Sequence, residues 1–307
     1  MTDENRIARA AMTRMFVPND YVARRLVERH DPYPAYRMAL RARPLFPFGT
    51  ITAEDLSDGL DRWAPSPRDL DTDKIEEDLA TIERLGGGFL IPGDEHWPEA
   101  LDALPNAPYG LWYVGNIAQG IPDPSRAAAV TGSRDCTSYG AAVAGDMAHG
   151  LAQEGICVVS GLAYGIDAHA HRGALAGSTG EAPATIAVVA GGLDRVYPSG
   201  NADLAAAIRA NGLILSEQAP VTAPTRTRVI DRNRILAALA GVTCVVEART
   251  RSAALNTARH AEHIGHQIAA VPGSVHSGHS EGCHHLLRAN NAFLVTNAAD
   301  VAEILAD

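Results

Sequence analysis

Four cysteines in 307 residues, Cys136, Cys157, Cys244 and Cys283, form no C-x-x-C pair, so the sequence encodes neither a disulfide framework nor a paired-thiol metal site. Free thiols of a reducing compartment fit this usage. No apolar run approaches the eighteen or so residues that cross a bilayer. The segment Met1 to Arg14 is polar where a secretory leader would be apolar, so a cytoplasmic protein without a membrane partner is expected. There is no internal repeat and no low-complexity tract. Lysine is nearly missing, with Lys74 the single one among 26 basic residues, which reads as a coding-composition effect. An excess of positive charge is missing too: the formal net charge is −10. The deficit is uneven. Residues 1–125 hold 13 basic and 21 acidic side chains, against 13 and 15 in the rest. A broad basic face wrapping duplex DNA is thereby disfavoured, and a local basic pocket in the C-terminal part is not.

The 46% apolar and 20% charged composition is that of a globular protein, and the length suits one large domain with a smaller one. From about Pro124, short β-branched apolar runs alternate with amphipathic helical stretches. Strands are expected at 127–130, 156–160, 185–189, 213–216, 242–246, 267–271 and 293–296. Helices are expected at 141–153, 167–176, 201–210, 232–240, 255–264 and 283–288. Continuously apolar strands joined by helices predict an α/β fold, a Rossmann-like, doubly wound and mainly parallel sheet covered on both faces. Upstream, helical periodicity covers 4–29 and 34–41, an acidic helix covers 73–85, and a Pro-rich linker is read at 63–67. Two strand-like pieces within 88–116 are expected to join the sheet. The division is a small helical domain, 1–72, before an extended Rossmann-like domain, 73–307.

In such a sheet ligands bind beyond the carboxyl ends of the strands, and the loops there carry the candidates. Gly132, Ser133 and Arg134 follow the first parallel strand: glycine permits close backbone approach, serine offers a hydroxyl, and the guanidinium suits phosphate. A turn capped by Ser133 with a solvent-facing Arg134 accounts for the same residues. Ser160 and Gly161 follow the next strand, and Asp167 stands where a helix N-cap is expected. Ser216 ends a later strand. Arg226 and Arg228 precede Arg232, Asn233 and Arg234, read as a helix start whose dipole adds to phosphate binding; a salt-bridged loop is the alternative.

These pieces in order resemble the DprA/Smf family. The chain supplies its G-S-R…Y-G loop at 132–140, S-G-L-A-x-G-I-D from Ser160, Y-P at Tyr197, S-E at Ser216, R-N-R-I at Arg232, V-V-E-A at Val245 and V-P-G at Val271. Asp94…Trp97-Pro98 and the segment 111–116 resemble the family's lead-in. The resemblance implies binding of single-stranded DNA, self-association as a homodimer, and loading of a RecA-type recombinase in transformation or recombination, with no catalysis and no cofactor. It implies a DNA pocket of Gly132, Ser133, Arg134, Ser160, Gly161, Ser216, Arg232, Asn233 and Arg234, holding successive phosphates. Tyr164 or Tyr197 is available for base stacking, although a core role is the first expectation for both. Ala253 replaces a family glycine, His284 an asparagine, and Asn291 a glycine. The usual F-P before R-N-R is absent, and ending at Asp307 implies no winged-helix-like tail.

Other classes fit less well. A LOG-like nucleotide-processing enzyme needs P-G-G-x-G-T-x-x-E, whereas 190–194 lacks the Thr and Glu. His276, His279, Cys283, His284 and His285 are ligand types within ten residues but read as a His-rich loop, so no metal is assigned. Ser160, Asp167 and His169 or His171 lack the nucleophile elbow of a hydrolase.

Overall fold

The computed structural model describes residues 3–18, 20–32, 35, 72–180, 183–289 and 291–306. The expected helix at 34–41, apart from residue 35, and the linker at 63–67 lie outside the described residues.

The periodicity of 4–29 forms two helices, α1 (Asp3–Met15) and α2 (Tyr21–His30). The interruption has a local cause. Pro18 disfavours continuation, and the Asp20 carboxylate caps α2 by accepting from the Val22 and Ala23 amides. α3 (Thr72–Arg84) follows. Met12, Phe16 and Leu26 share one buried apolar cluster with Ile75, Ile82 and Trp112. Polar contacts fix the packing: Trp112 Nε1 donates to Thr13 Oγ1 at 2.9 Å, and Arg14 Nε to Asp78 at 2.9 Å.

β1 (Gly87–Leu90) and β2 (Leu111–Gly115) form an antiparallel edge, and β2 runs antiparallel to β6. Then come β3 (Ala127–Thr131), α4 (Ser138–Gln153), β4 (Cys157–Ser160), α5 (Ile166–Gly177), β5 (Thr185–Val189), α6 (Ala202–Asn211) and β6 (Leu213–Ser216). The chain continues through α7 (Arg226–Ala238), β7 (Val242–Val245), α8 (Ala254–His263), β8 (Gln267–Ala270), α9 (Glu281–Arg288), β9 (Phe293–Leu294) and α10 (Ala298–Ala306). The sheet order is β1-β2-β6-β5-β4-β3-β7-β8-β9, parallel from β6 to β9. This is the expected Rossmann-like layout.

Alternate residues of β3 show why the strand is apolar up to Thr131. Ala128 and Val130 pack under α4 and α5, while Ala127 and Ala129 face Ile235 and Leu236 of α7, so both faces are covered. One expected boundary is corrected with consequence: α7 starts at Arg226, not at Arg232. Thr225 caps it, its Oγ1 accepting from the Arg228 amide at 3.2 Å. Arg232, Asn233 and Arg234 therefore lie in its interior, away from the positive end of the dipole.

Candidate functional site

From β3 the strands proceed outward through β4, β5 and β6, and the chain then returns to place β7 on the other side of β3. The loops leaving β3 and β7 diverge and open a crevice at this switch point. The two loops are tied at its base. The Ser133 amide donates to Glu247 O at 2.7 Å, and the buried Glu247 carboxylate accepts from Thr137 N at 2.8 Å and Thr137 Oγ1 at 2.6 Å. A Cβ at Gly132 would lie 2.6 Å from Glu247 O and 2.7 Å from Ile166 Cγ1; only glycine fits there. Ser133 Oγ donates to Asp135 at 2.6 Å, so the hydroxyl closes the turn. Arg134 projects into solvent with no ion pair among the described residues.

The remaining sequence-predicted residues divide by burial. Ser160 Oγ is fully buried and donates to Val130 O at 2.6 Å; Ser216 Oγ donates to Gly191 O at 2.8 Å and accepts from the Gln218 amide. Asn233 donates to Ala253 O at 3.1 Å. Arg234 makes a bidentate ion pair with Glu217, at 2.9 and 2.5 Å, and donates to Asn106 O. These four side chains spend their hydrogen bonds inside the fold. Arg232 is buried beneath Gly161, donating from Nη1 to Gly161 O at 3.1 Å and to Val188 O. Burial lowers its pKa to about 10, against the opposing field of Asp167. Asp167 is not the N-cap of α5; Gly165 holds that position. Its buried carboxylate accepts instead from Thr131 Oγ1 at 3.0 Å and Ala163 N at 3.3 Å, and burial raises its pKa while Arg232 opposes the rise.

What faces the crevice is a cleft of about 880 Å³ lined by Arg134, Arg226, Arg249, Arg251 and Arg259, with Asp135 the acid among its lining residues. All five arginines are exposed, and Arg249 pairs with Asp135 at 3.1 Å. Sequence reading passed over Arg249, Arg251 and Arg259. The available signal was that 249–251 leave β7, the strand at which the order reverses. Tyr197 lines the cleft and Tyr164 a pocket joined to it. They are 58% and 49% exposed, so the core role first expected for both is replaced by two accessible aromatic faces.

The His-rich loop disperses its ligand types. Cys283 Sγ is buried 3.4 Å from Val245 O, His284 Nε2 contacts Gly273 O at 3.0 Å and His279 contacts Arg249. Among the described residues no group of three or more His, Cys, Asp or Glu is placed to hold a metal. Ala253 has φ −63° and ψ −24°, a conformation open to any residue, so its Cβ imposes no backbone strain.

His171, on α5, is fully buried with Nδ1 2.7 Å from Thr185 Oγ1. Thr185 donates to Val158 O, so its oxygen accepts the Nδ1 proton. Burial, reinforced by Arg232 and Arg172, pushes the His171 pKa down to about 3. The unfolded chain, with an ordinary imidazole near 6.5, therefore binds more protons in between. Stability is full above pH 6.5 and falls as pH drops toward 3. Between pH 6.5 and 5 this group is expected to cost about 2 kcal/mol, at ~1.4 kcal/mol per pH unit. Urea denaturation at the two pH values checks it, and His171→Asn should flatten the dependence.

A family model described as DNA recombination-mediator protein A matches residues 88–306. The chain belongs to this family. Among its relatives, the putative DNA processing protein DprA of Mycobacterium tuberculosis is 44% identical over 244 residues, 76% of this chain and 61% of that protein. The chain thus spans about three-fifths of the length of that relative. The DNA processing protein DprA of Streptococcus pneumoniae is 40% identical over 208 residues, 68% of this chain and 71% of that one. An X-ray structure of the S. pneumoniae protein superposes with a TM-score of 0.70 at 29% identity, covering 98% of each chain. A Helicobacter pylori DprA structure, concerned with that protein's single-stranded DNA binding mode, gives 0.62 at 29% identity, covering 69% of this chain and 94% of that one. The family match includes β3 through α8, and with them the crevice and all five arginines. No helix among the described residues is long and apolar enough to cross a membrane.

Proposed function

We propose that this protein binds single-stranded DNA along the arginine-lined cleft and, as a homodimer in the cytoplasm, delivers the strand to a RecA-type recombinase without catalysing a reaction. The observation that carries the reading is the gathering of five exposed arginines in one cleft of a chain whose net charge is −10. Arginine forks hold successive phosphates irrespective of base, and exposed tyrosines beside them offer stacking faces. Gly132 packs against Glu247 and Ile166, Gly161 packs over Arg232 and Asp167, and Ser133 closes its turn, so these three hold the loops that carry the cleft arginines. Ser160, Ser216, Asn233 and Arg234 act from beneath by fixing the loops, and Arg232 stands at the floor.

The test is fluorescence anisotropy of a labelled oligo-dT and a matched duplex, titrated from 50 to 200 mM salt. Salt-sensitive binding that favours the single strand is expected. Equal or tighter binding of the duplex, or none of either at low salt, overturns the proposal. Single-strand binding then warrants a recombinase-loading assay on the same oligonucleotide.

A further inference from the structure

Arg249 lines the cleft with its guanidinium already engaged. Its Nη2 donates to Asp135 Oδ2 at 3.1 Å and to His279 Nε2 at 2.8 Å, and an Nη2 has two protons to give. Both are spent. A guanidinium grips a phosphate with two parallel donors, either its two Nη atoms or Nε with Nη2, and each of these forks includes Nη2. Arg249 therefore takes a bidentate phosphate only after one partner lets go.

The arrangement is built into the backbone. Ser133 N donates to Glu247 O and Ala248 N to His279 O, each at 2.7 Å, so the loops bearing Asp135, Arg249 and His279 are fastened to one another within two residues of these side chains. Asp135 is fastened again, its Oδ1 accepting from Ser133 Oγ at 2.6 Å. The hydrogen bonds from Ser133 and Arg249 hold the Asp135 carboxyl below its ordinary pKa, so it faces Arg249 as an anion.

We infer that Asp135 is a built-in competitor for phosphate: it occupies Arg249 in the free protein, and a strand gains this arginine only by displacing the carboxylate. The inference rests on the proposed single-strand binding and adds to it a residue that weakens the grip. A phosphodiester and a carboxylate present the same pair of anionic oxygens to a guanidinium, so one can replace the other without rebuilding the cleft. A strand held against such a competitor is released to a recipient more readily.

The test is the salt dependence, from 50 to 200 mM, of binding to a labelled 20-mer of dT by the wild type, Asp135→Asn, Arg249→Ala and the double variant. Asparagine keeps an acceptor for Ser133 and removes the charge. The side chain is exposed, so the fold tolerates the change. Asp135→Asn is expected to steepen the slope of log affinity against log salt by about 0.7, one more phosphate on a single strand. Its affinity should rise about threefold at 200 mM and about eightfold at 50 mM, if the part of binding that does not depend on salt is unchanged. In the Arg249→Ala background the same change at Asp135 should leave the slope where Arg249→Ala alone puts it. Equal steepening in both backgrounds means that Asp135 repels the strand at large, and an unchanged slope in Asp135→Asn means that Arg249 is not held in reserve. Either result overturns the competitor role and leaves single-strand binding standing. Binding by neither the wild type nor Asp135→Asn overturns both readings.

Discussion

Replacing Arg134, Arg226 and Arg251 together by alanine is expected to lower the slope of log affinity against log salt by about 2, since each phosphate neutralised on a single strand contributes ~0.7. The loss in affinity follows from that slope and grows as salt falls. It is about thirty-fold at 200 mM and several hundred-fold at 50 mM, if the part of binding that does not depend on salt is unchanged. These three are chosen because they line the cleft, are exposed and form no ion pair among the described residues. Arg249 is already partly neutralised by Asp135. Exposed, unpaired side chains contribute within about ±0.5 kcal/mol each to stability, so the variant should unfold at nearly the wild-type urea concentration. Anisotropy at four salt concentrations, beside a urea titration, is the measurement. An unchanged slope in a folded variant would move the DNA path away from this cleft.

The opposite pattern is expected at Arg234, two residues from Arg232 and part of the same motif. Its guanidinium and the Glu217 carboxylate are both buried and bidentate. In Arg234→Ala the carboxylate stays inside without its partner, and the two carbonyls of Asn106 and Asp231 lose a donor. Removing one member of a buried pair costs about 3–5 kcal/mol. Arg234→Met with Glu217→Met removes both charges at similar volume and should cost less than either single change, because no isolated charge remains. Urea midpoints of the three variants check this, with a double variant less stable than both singles as the contrary result. Because Arg234 is buried and meets no phosphate itself, the salt slope of DNA binding by the folded fraction should be unchanged in all of them, whatever loosening of the loops does to affinity. R-N-R thus contains one residue that shapes the fold and one at a pocket floor, a distinction the motif does not display.

Much of the architecture was legible. β5 and β6 have the expected bounds, 185–189 and 213–216, because a strand buried on both faces is an uninterrupted apolar run and ends where that run ends. α7 was read six residues short because its first turns, Arg226 to Asp231, are mostly polar and not buried, and their two apolar residues, the adjacent Val229 and Ile230, make no helical stripe. The Pro224-Thr225 pair before it was the available sign of a cap. At the site, the loops were found by their place at strand ends, and Arg134 with them. Arg251 and Arg259 were passed over because nothing local distinguishes an arginine that lines a cleft from one on a solvated helix face.

The sequence by itself determined the type and order of the elements, and through the alternation of apolar strands with helices it determined a doubly wound sheet. It also determined which loops lie at the carboxyl edge, since that follows from strand direction alone. The tertiary structure decided the rest: that β7 returns beside β3, bringing the 249–251 loop to the 132–134 loop, and that Arg134 faces solvent while Arg232 and Arg234 are buried. The physical reason is that propensity and periodicity act over a few residues. The environment of an arginine is set by neighbours 44 to 128 positions away, such as Val188 and Gly161 for Arg232 and Asn106 for Arg234.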